Sequence, residues 1–395
     1  MNPIQNPFSP GAGSQPPELA GRSELLEKVN ISIERVRIGR ASKSVLMVGL
    51  RGVGKTVLLD RMRGQAEALG NATIRLEAPE NKSLPAMLAP ELRHLLLKLS
   101  AVRASQAAAK RALQALAGFA KALKFKYQDI EVGLDLDPEK GLADNGDLES
   151  DLLALLTSIG DAAKAADRAV VLFIDELQYV AEEELAALIT CLHRTSQLSL
   201  PLIMVGAGLP QLRGKMGKAK SYAERLFDFP SIGPLDRPAA RQALSKPTQS
   251  LQVEWEPSAL EDVVSATRGY PYFLQEWGKH VWDLAEDSPI EQDDVQRATP
   301  IVIAALDESF FRVRFDRLTP SEKRYMRAMA ELGEGPHRSG DIAELLQRKV
   351  TALGPTRNSL ISKGMIWSPG HGDTAFTVPM FDEFMKRTMP NLETN

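Results

Sequence analysis

The sequence predicts an α/β protein with a parallel-sheet core, followed by a helical domain and a small terminal domain of helices and a hairpin. Apolar runs at 45–48, 169–174 and 201–206 have the length of strands, and near-continuous apolar runs are typical of strands buried on both faces of a parallel sheet. A glycine-rich turn follows the first run, and two carboxylates follow the second. From Asp236 the pattern becomes helical and is punctuated by prolines, which indicates a separate domain.

The glycine-rich turn is the most specific motif of the chain. Gly49–Thr56, GLRGVGKT, matches G-x-x-x-x-G-K-[ST] and lies between a strand pattern and a helical pattern, as a phosphate-binding loop requires. In such a loop backbone N–H groups and a helix N-terminus surround phosphate oxygens. Lys55 would reach the β- and γ-phosphates, and the Thr56 hydroxyl would hold Mg²⁺. The motif predicts a P-loop NTPase core whose nucleotide-binding residues include Gly49, Arg51, Gly52, Val53, Gly54, Lys55, Thr56 and Val57.

Two carboxylates, Asp175 and Glu176, end the second apolar run, at the sheet edge where ligands of open α/β sheets bind. We expect Asp175 to hold Mg²⁺ through water, and Glu176 to polarise the attacking water as general base. Glu176 and Lys55 are therefore candidate catalytic residues. The alternative is that the acidic pair only caps the helix that follows it.

The composition is that of an ordinary globular protein. The 395 residues are 44% hydrophobic and 25% charged, and a net charge of −3 gives no chain-wide attraction to nucleic acid or membrane. The lone Cys191 excludes an internal disulfide and is expected in the core, and the five histidines show no zinc spacing. Because the sequence has no signal-peptide pattern and no run of 18 apolar residues, we expect a cytoplasmic protein without membrane contact.

The N-terminal region divides into an arm and a core. Residues 1–17 are rich in Pro, Gly, Ser and Asn, and we expect them to be disordered or to lie as an extended arm on a neighbouring surface. The core is predicted to span 18–235. It begins with a helix that Ser23 can cap, and a second strand follows at 72–78.

An insertion with an abrupt change of charge lies at about 93–137. Residues 92–128 contain eight Lys or Arg and no acid, whereas 129–151 contain nine acids and one Lys. Either these segments pair or are solvated, or the basic helix contacts a partner or a polyanion. Within the insertion, alternation over 125–136 predicts a small hairpin.

The remaining chain predicts a helical lid at 236–315 and a terminal domain at 316–395. In the terminal domain Thr319 can cap a helix that begins at Pro320, and two further helical patterns precede a hairpin pattern around Gly-His-Gly-Asp. Three helices and a two-stranded wing predict a winged helix-turn-helix. The alternative is a generic helical tail.

In this order the motifs GLRGVGKT, VLFIDEL and AERLF, with the lid and winged helix, resemble the AAA+ and STAND superfamily of P-loop ATPases. The closest likeness is to the origin-recognition initiator-like branch and to prokaryotic STAND ATPases. The resemblance implies ATP as nucleotide, with Mg²⁺, and implies that Gly21 and Arg22 line the adenine pocket. Arg225 is similar in position to the arginine that such subunits extend to a neighbour's γ-phosphate. A surface arginine that pairs with Glu224 is the alternative.

Two positions depart from the AAA+ pattern. The polar sensor-one residue at the end of the fourth strand is absent from 205–208, VGAG. Where a sensor-two arginine would start the lid helix, Gly269-Tyr270-Pro271 resembles the G-x-P signature of STAND proteins, which implies that Pro271 contacts nucleotide. Both departures predict slow, switch-like hydrolysis.

Two functions remain open at this point. The first is an ATP-dependent switch that binds double-stranded DNA through its winged helix, with Arg357, Asn358 and Lys363 as DNA-binding residues. The second is a STAND-type signalling or defence ATPase whose winged helix docks a protein. From Arg312 to the C-terminus there are 13 Lys or Arg against 10 Asp or Glu, which is a weak signal for DNA. Either function is compatible with homo-oligomers.

Overall fold

A five-stranded parallel sheet with strand order β2-β3-β4-β1-β5 forms the centre of the N-terminal region. The computed structural model describes residues 1–11, 13–78, 82–124, 126–127, 130 and 137–392. All neighbouring strands pair in parallel, which confirms the predicted α/β class. The strands are β1 (Ser44–Val48), β2 (Ala72–Glu77), β3 (Val170–Asp175), β4 (Leu202–Gly208) and β5 (Phe227–Asp228).

Helices cover both faces of this sheet. They are α1 (Ser23–Arg37), α2 (Lys55–Ala68), α3 (Leu84–Ser100), α4 (Gln106–Leu123), α5 (Leu148–Ala165), α6 (Glu182–Gln197), α7 (Leu212–Ala219) and α8 (Ala223–Leu226). Every residue of β1, β3 and β4 is buried, as their apolar runs predict. Along β3 the side chains alternate between two apolar cores: Val171 and Phe173 face one, and Leu172 and Ile174 face the other.

Three local predictions have different outcomes in the structure. Arg22, not Ser23, occupies the cap position of α1, and no side chain caps that helix, so the Ser23 prediction was wrong. The basic region forms two helices, α3 and α4, which a short 3₁₀ turn separates. The hairpin predicted at 125–136 falls largely outside the described residues. In the described part of the insertion, Arg111 pairs with Glu139 at 3.3 Å, so one contact joins the basic and acidic segments.

Four helices follow the core: α9 (Arg237–Gln249), α10 (Pro257–Thr267), α11 (Pro271–Leu284) and α12 (Gln292–Leu306). The N-terminal arm lies along α11. The ring of Phe8 is buried against Gly278, and the indole Nε1 of Trp282 donates to the Asn2 carbonyl at 3.0 Å. None of the helices in the described ranges combines the length and apolar character needed to span a bilayer.

The C-terminal region begins with a π-helical turn, Asp307–Phe311. Thr319 caps α14 and exchanges hydrogen bonds with Glu322 in a capping box, which confirms the predicted start of that helix. The predicted hairpin is also present, because β7 and β8 pair antiparallel in a sheet of order β6-β8-β7. The elements are α13 (Arg312–Phe315), α14 (Pro320–Glu331), β6 (His337–Arg338), α15 (Ser339–Leu345), α16 (Val350–Ser362), β7 (Ile366–Trp367), β8 (Asp373–Phe376) and α17 (Phe381–Thr388).

Candidate nucleotide-binding site

A cleft with a cavity volume of about 420 Å³ lies where the loop between β1 and α2 faces helix α11. Its walls include the N-terminal arm, that loop, the start of α11 and the segment 310–314, together with the ends of β2 and β3 at Glu77 and Glu176. The volume is in the range of sites for small molecules. Ionisable residues that line the cleft are Glu18, Arg22, Arg51, Lys55, Glu77, Glu176, Tyr272 and Arg314.

The loop has the backbone geometry of a phosphate cradle. Gly54 has φ of +87°, a left-handed conformation that glycine adopts without strain. At Gly49 a Cβ would lie 2.1 Å from the Ile232 carbonyl oxygen, so a side chain cannot fit. α2 begins directly at Lys55. The unpaired N–H groups of its first turn therefore lie beside the cleft and can bind an anion.

Lys55 is buried and holds its charge against the loop backbone. Its Nζ donates to the carbonyls of Gly49 and Leu50 at 3.0 and 2.8 Å. Burial lowers the pKa of Lys55 to about 8, although Glu176 and Asp175 act in the opposite direction. Because carbonyl groups are neutral, a polyphosphate in the cleft would supply a full negative charge opposite this ammonium.

The groups that could hold Mg²⁺ meet beneath the loop. Thr56 Oγ1 donates to Asp175 Oδ2 at 2.7 Å, so a hydroxyl and a buried carboxylate converge on one point. Oxygen ligands of this kind fit Mg²⁺, which in nucleotide sites is held by one or two protein groups and by phosphates. Arg75 on β2 also reaches Asp175, at 3.3 Å, and pairs with Asp60 at 2.9 Å. Asp175 is thus anchored from two sides.

Glu176 follows Asp175 in a left-handed conformation with φ of +53°, which is unusual for a residue with a side chain. Its carboxylate accepts a hydrogen bond from Gln178 Nε2. The side chain makes no capping bond to the 3₁₀ turn that follows, so the helix-cap alternative does not describe it. Glu176 lines the cleft together with Lys55 and Thr56, where a general base would face a terminal phosphate.

Comparisons with known proteins agree with this geometry. A family model described as the AAA ATPase domain matches residues 18–205. A second family model, described as a domain of unknown function, matches residues 308–385. A search of curated proteins found no match.

Several solved structures are similar to this chain. The Walker-type ATPase Paby2304 of Pyrococcus abyssi is 16% identical with a TM-score of 0.61, covering 96% of this chain and 99% of its own. The Aeropyrum pernix Orc1 protein in complex with DNA is 14% identical with a TM-score of 0.48, covering 95% and 94%. Thermotoga maritima RuvB, a Holliday junction branch migration motor, is 16% identical with a TM-score of 0.43, covering 90% and 92%. At such identity the likeness to Paby2304 shows a shared fold alone.

Of the residues predicted to surround the nucleotide, most line the cleft and two do not. Arg22 and Pro271 line the cleft with all the predicted loop residues from Arg51 to Val57. The Arg22 guanidinium donates to the Gly233 carbonyl, and burial lowers its pKa, with Asp236 opposing. Gly49 and Gly21 do not line the cleft, and a Cβ on Gly21 would lie 2.9 Å from Cβ of Ala239.

Arg225 lies outside this cleft. It is exposed on α8, and among the described residues its side chain has no hydrogen bond or ion pair, with Glu224 or any other acid. An exposed and unengaged guanidinium is available to a neighbouring molecule.

The residues predicted to bind DNA also lie outside this cleft. Arg357 donates to Thr374 Oγ1 at 3.1 Å and to Ser368 Oγ and the Asp373 carbonyl at 2.9 Å each, so it braces α16 against the hairpin. Lys363 donates to Glu322 at 2.7 Å and to the Arg317 carbonyl at 3.0 Å. Asn358 is exposed.

Sequence reasoning missed four residues that the fold brings to the cleft or to its acids. Arg75 has a signal in hindsight, a lone cation in an apolar strand, and Gln178 follows the acidic pair by two positions. Tyr272 and Arg314 carry no motif. They come from segments distant in sequence, and only tertiary packing places them beside the phosphate loop.

Proposed function

We propose that the protein is an ATP-binding, slowly hydrolysing switch ATPase in which the nucleotide sets the arrangement of core, lid and C-terminal region. One observation carries the proposal: the loop residues from Arg51 to Thr56 line a cleft that later segments of the chain close, and Thr56 also contacts Asp175. Tyr272 of the lid donates its N–H to the Gly52 carbonyl at 3.1 Å, and the Arg51 N–H donates to the Thr377 carbonyl at 3.0 Å. The loop that would bind phosphates is therefore hydrogen-bonded to both regions.

The residues support hydrolysis as follows. Lys55 would exchange its two carbonyl partners for β- and γ-phosphate oxygens, and Glu176 would accept the proton of the attacking water. When held by Thr56 and Asp175, Mg²⁺ would neutralise charge on the phosphates. Gln178 fixes the Glu176 carboxylate, and its Oε1 accepts from the Leu209 N–H at 3.1 Å, just beyond β4. Gln178 thus supplies a polar contact beside the strand end where the sensor-one residue is absent.

Slow turnover is part of this proposal. The end of β4 offers no side chain to a phosphate, because Gly206 and Gly208 flank Ala207. A site arranged in this way suits a switch that stays in one nucleotide state for a long time.

For the output of the switch we propose double-stranded DNA, bound by a C-terminal winged helix. The support is the order of elements, since α14, α15 and α16 precede an antiparallel hairpin, with α16 as the third helix. Arg348 and Lys349, directly before α16, are exposed and free to meet phosphates, as is Asn358. Few basic side chains are available, so the logarithmic salt slope should be shallow, about −3 to −5.

A second output, a docked protein, is favoured by a specific observation. Arg357 and Lys363, the basic residues within and just after α16, are engaged by hydrogen bonds inside the domain. The hairpin also packs on the phosphate loop through Thr377, whose Oγ1 donates to the Gly364 carbonyl at 2.6 Å. In this alternative the domain is an internal packing module and a protein docking site.

Binding of labelled ATP tests the nucleotide site. Lys55→Ala should nearly abolish binding, because a methyl group cannot replace a charge on the β/γ-phosphates. Lys110→Ala, on the exposed face of α4, is the matched control and should bind as the wild type does. Equal binding by both variants would reject the assignment.

Titration with duplex DNA at about 50 mM salt, with and without ATP, decides between the two outputs. If DNA is the partner, Arg348→Ala with Lys349→Ala should weaken binding to all sequences alike and reduce the salt slope by about 2. Absence of duplex binding in every nucleotide state rejects DNA and leaves the docking function.

A further inference from the structure

A cation from outside the matched AAA ATPase domain enters the nucleotide cleft. Arg314 belongs to α13, directly after the π-helical turn that joins the lid to the C-terminal region. Its side chain lines the same cleft as Lys55, Thr56 and Glu176. In sequence Arg314 is more than 100 residues beyond β4, so no phosphate-loop motif includes it.

An aromatic stack fixes the position of this guanidinium. The Arg314 Cζ lies 4.2 Å from the centroid of the Phe310 ring, and Nη1 donates to the Phe310 carbonyl. Phe310 in turn stacks on Tyr272, with centroids 4.7 Å apart and planes 23° apart. Tyr272 is hydrogen-bonded to the Gly52 carbonyl, so the stack connects Arg314 to the phosphate loop itself.

Arg314 forms no direct ion pair with a carboxylate in the described part of the chain, although the charge of Glu176 favours its protonated form. Burial lowers the pKa of Arg314 to about 10, and nearby Arg51 acts in the same direction. The group therefore stays protonated at neutral pH while partly removed from water. A partly buried cation beside Arg51 and Lys55 is stabilised by an anion between them.

The neighbours of Arg314 indicate which part of a nucleotide that anion is. Arg51 and Glu176 are cleft charges that act on it, and Glu176 is the candidate general base. Arg22 lines the cleft at the end expected to hold the base. Arg314 thus belongs to the end where the terminal phosphate is attacked.

We propose that Arg314 contacts the γ-phosphate of ATP bound in the same subunit and makes the junction between lid and C-terminal region respond to ATP but not to ADP. This inference rests on the proposed nucleotide site. It identifies the group that senses the third phosphate in a chain whose lid helix starts without an arginine. Movement of Arg314 toward or away from the phosphate would be transmitted through α13, whose Phe315 packs against Phe384 of α17.

The test compares affinities of the full chain for ADP and for a non-hydrolysable ATP analogue. Arg314→Ala should weaken binding of the ATP analogue by about tenfold or more, since a charge-assisted contact to phosphate is lost, and should leave ADP affinity within about twofold. Arg312→Ala is the matched control, because Arg312 lies on the same helix but outside the cleft and should change neither affinity. Circular dichroism and thermal unfolding check that each variant is folded.

Arg314→Lys covers the case in which the alanine variant unfolds. It retains a charge over Phe310 but not the planar fork, so it should lose part of the affinity for the ATP analogue and none for ADP. Equal losses for ADP and the ATP analogue would show a structural role and overturn the inference, as would unchanged affinity for both. If the wild type binds neither nucleotide, the proposed function fails as well, and the two failures are thereby distinguished.

Discussion

The proton affinity of Lys55 depends on the cleft around it. The residue is 7% exposed, and within the described part of the chain its ammonium donates to backbone carbonyls of the loop alone. Folding without nucleotide therefore lowers its affinity for a proton, and a bound polyphosphate should restore that affinity. Nucleotide binding and protonation of Lys55 are coupled.

This coupling predicts a pH dependence of ATP binding. Since the pKa of Lys55 is about 8 in the free protein and rises when phosphates bind, affinity should be constant below pH 8 and fall above it. The decline should approach about tenfold per pH unit for one linked proton. Calorimetry at pH 8.5 in two buffers of different ionisation enthalpy should detect proton uptake of up to about one. No uptake, with flat affinity to pH 9.5, would show that Lys55 is not the linked group.

A substitution at Glu176 should separate ATP binding from ATP hydrolysis. Glu176→Gln retains size and polarity but removes the base, so ATP should still bind while turnover falls about 10²-fold or more. Glu183→Gln, an exposed carboxylate at the start of α6, is the control and should keep wild-type turnover. Persistent turnover in Glu176→Gln would mean that another group orients the water.

At the scale of elements, the features that contiguous residues specify could be predicted from the sequence. The loop with its flanking strand and helix is specified by contiguous residues, as are the buried β3 that ends in Asp175 and the capped start of α14. Side chains that arrive from distant segments were not predictable. Arg75 reaches Asp175 because β2 pairs with β3 in register, and Arg314 reaches the cleft through a stack of rings. Sequence spacing contains no information on either contact.

Glu322 connects helices α14 and α16 of the C-terminal region through hydrogen bonds. It is 2% exposed and accepts from the Thr319 N–H at the start of α14, from Ser359 Oγ on α16 and from Lys363 Nζ, each at 2.7 Å. Burial alone would raise the pKa of Glu322, but the hydrogen bonds from Lys363, Thr319 and Ser359 outweigh it and lower the pKa to about 2. The negative form of Glu322 is therefore part of the folded structure.

The lowered pKa predicts an acid-sensitive contribution to stability. Because the pKa in the folded state is below its ordinary value of 4.5, this contribution is complete above about pH 4.5 and is lost as the pH falls toward 2. Glu322→Gln should cost about 1–3 kcal/mol at pH 7 and flatten the change between pH 5 and pH 3. Glu331→Gln, whose carboxylate forms a half-exposed pair with Arg327, should change stability by less than about 1 kcal/mol. Urea midpoints measure both, and equal effects of the two variants would contradict the role of Glu322.

At the scale of the molecule, one apolar core joins the parallel-sheet region, the helices α9 to α12 and the C-terminal region. Val205 of β4, Trp277 of α11 and Phe381 of α17 are buried in the same cluster. Regions packed in this way move as coupled bodies, so a change at the phosphate loop can be transmitted to the C-terminus.

The predicted role of Arg225 requires a second copy of the chain. If it reaches a neighbour's nucleotide, Arg225→Ala should lower turnover with little loss of ATP affinity, and wild-type specific activity should rise with protein concentration. Arg103→Ala is the control, an exposed arginine between α3 and α4. Activity that is independent of concentration and equal in mutant and wild type would assign Arg225 to the surface alone.

The most direct test of the nucleotide switch is hydrogen–deuterium exchange of the full chain without nucleotide, with ADP and with a non-hydrolysable ATP analogue. The amide of Arg51 is bonded to Thr377, so exchange over 49–56 and over 364–380 reports on the two sides of one contact. We predict that both nucleotides protect 49–56, and that only the ATP analogue changes exchange over 364–380. Protection confined to 49–56, or identical exchange over 364–380 with ADP and the ATP analogue, would contradict a switch that connects the nucleotide to the C-terminal region.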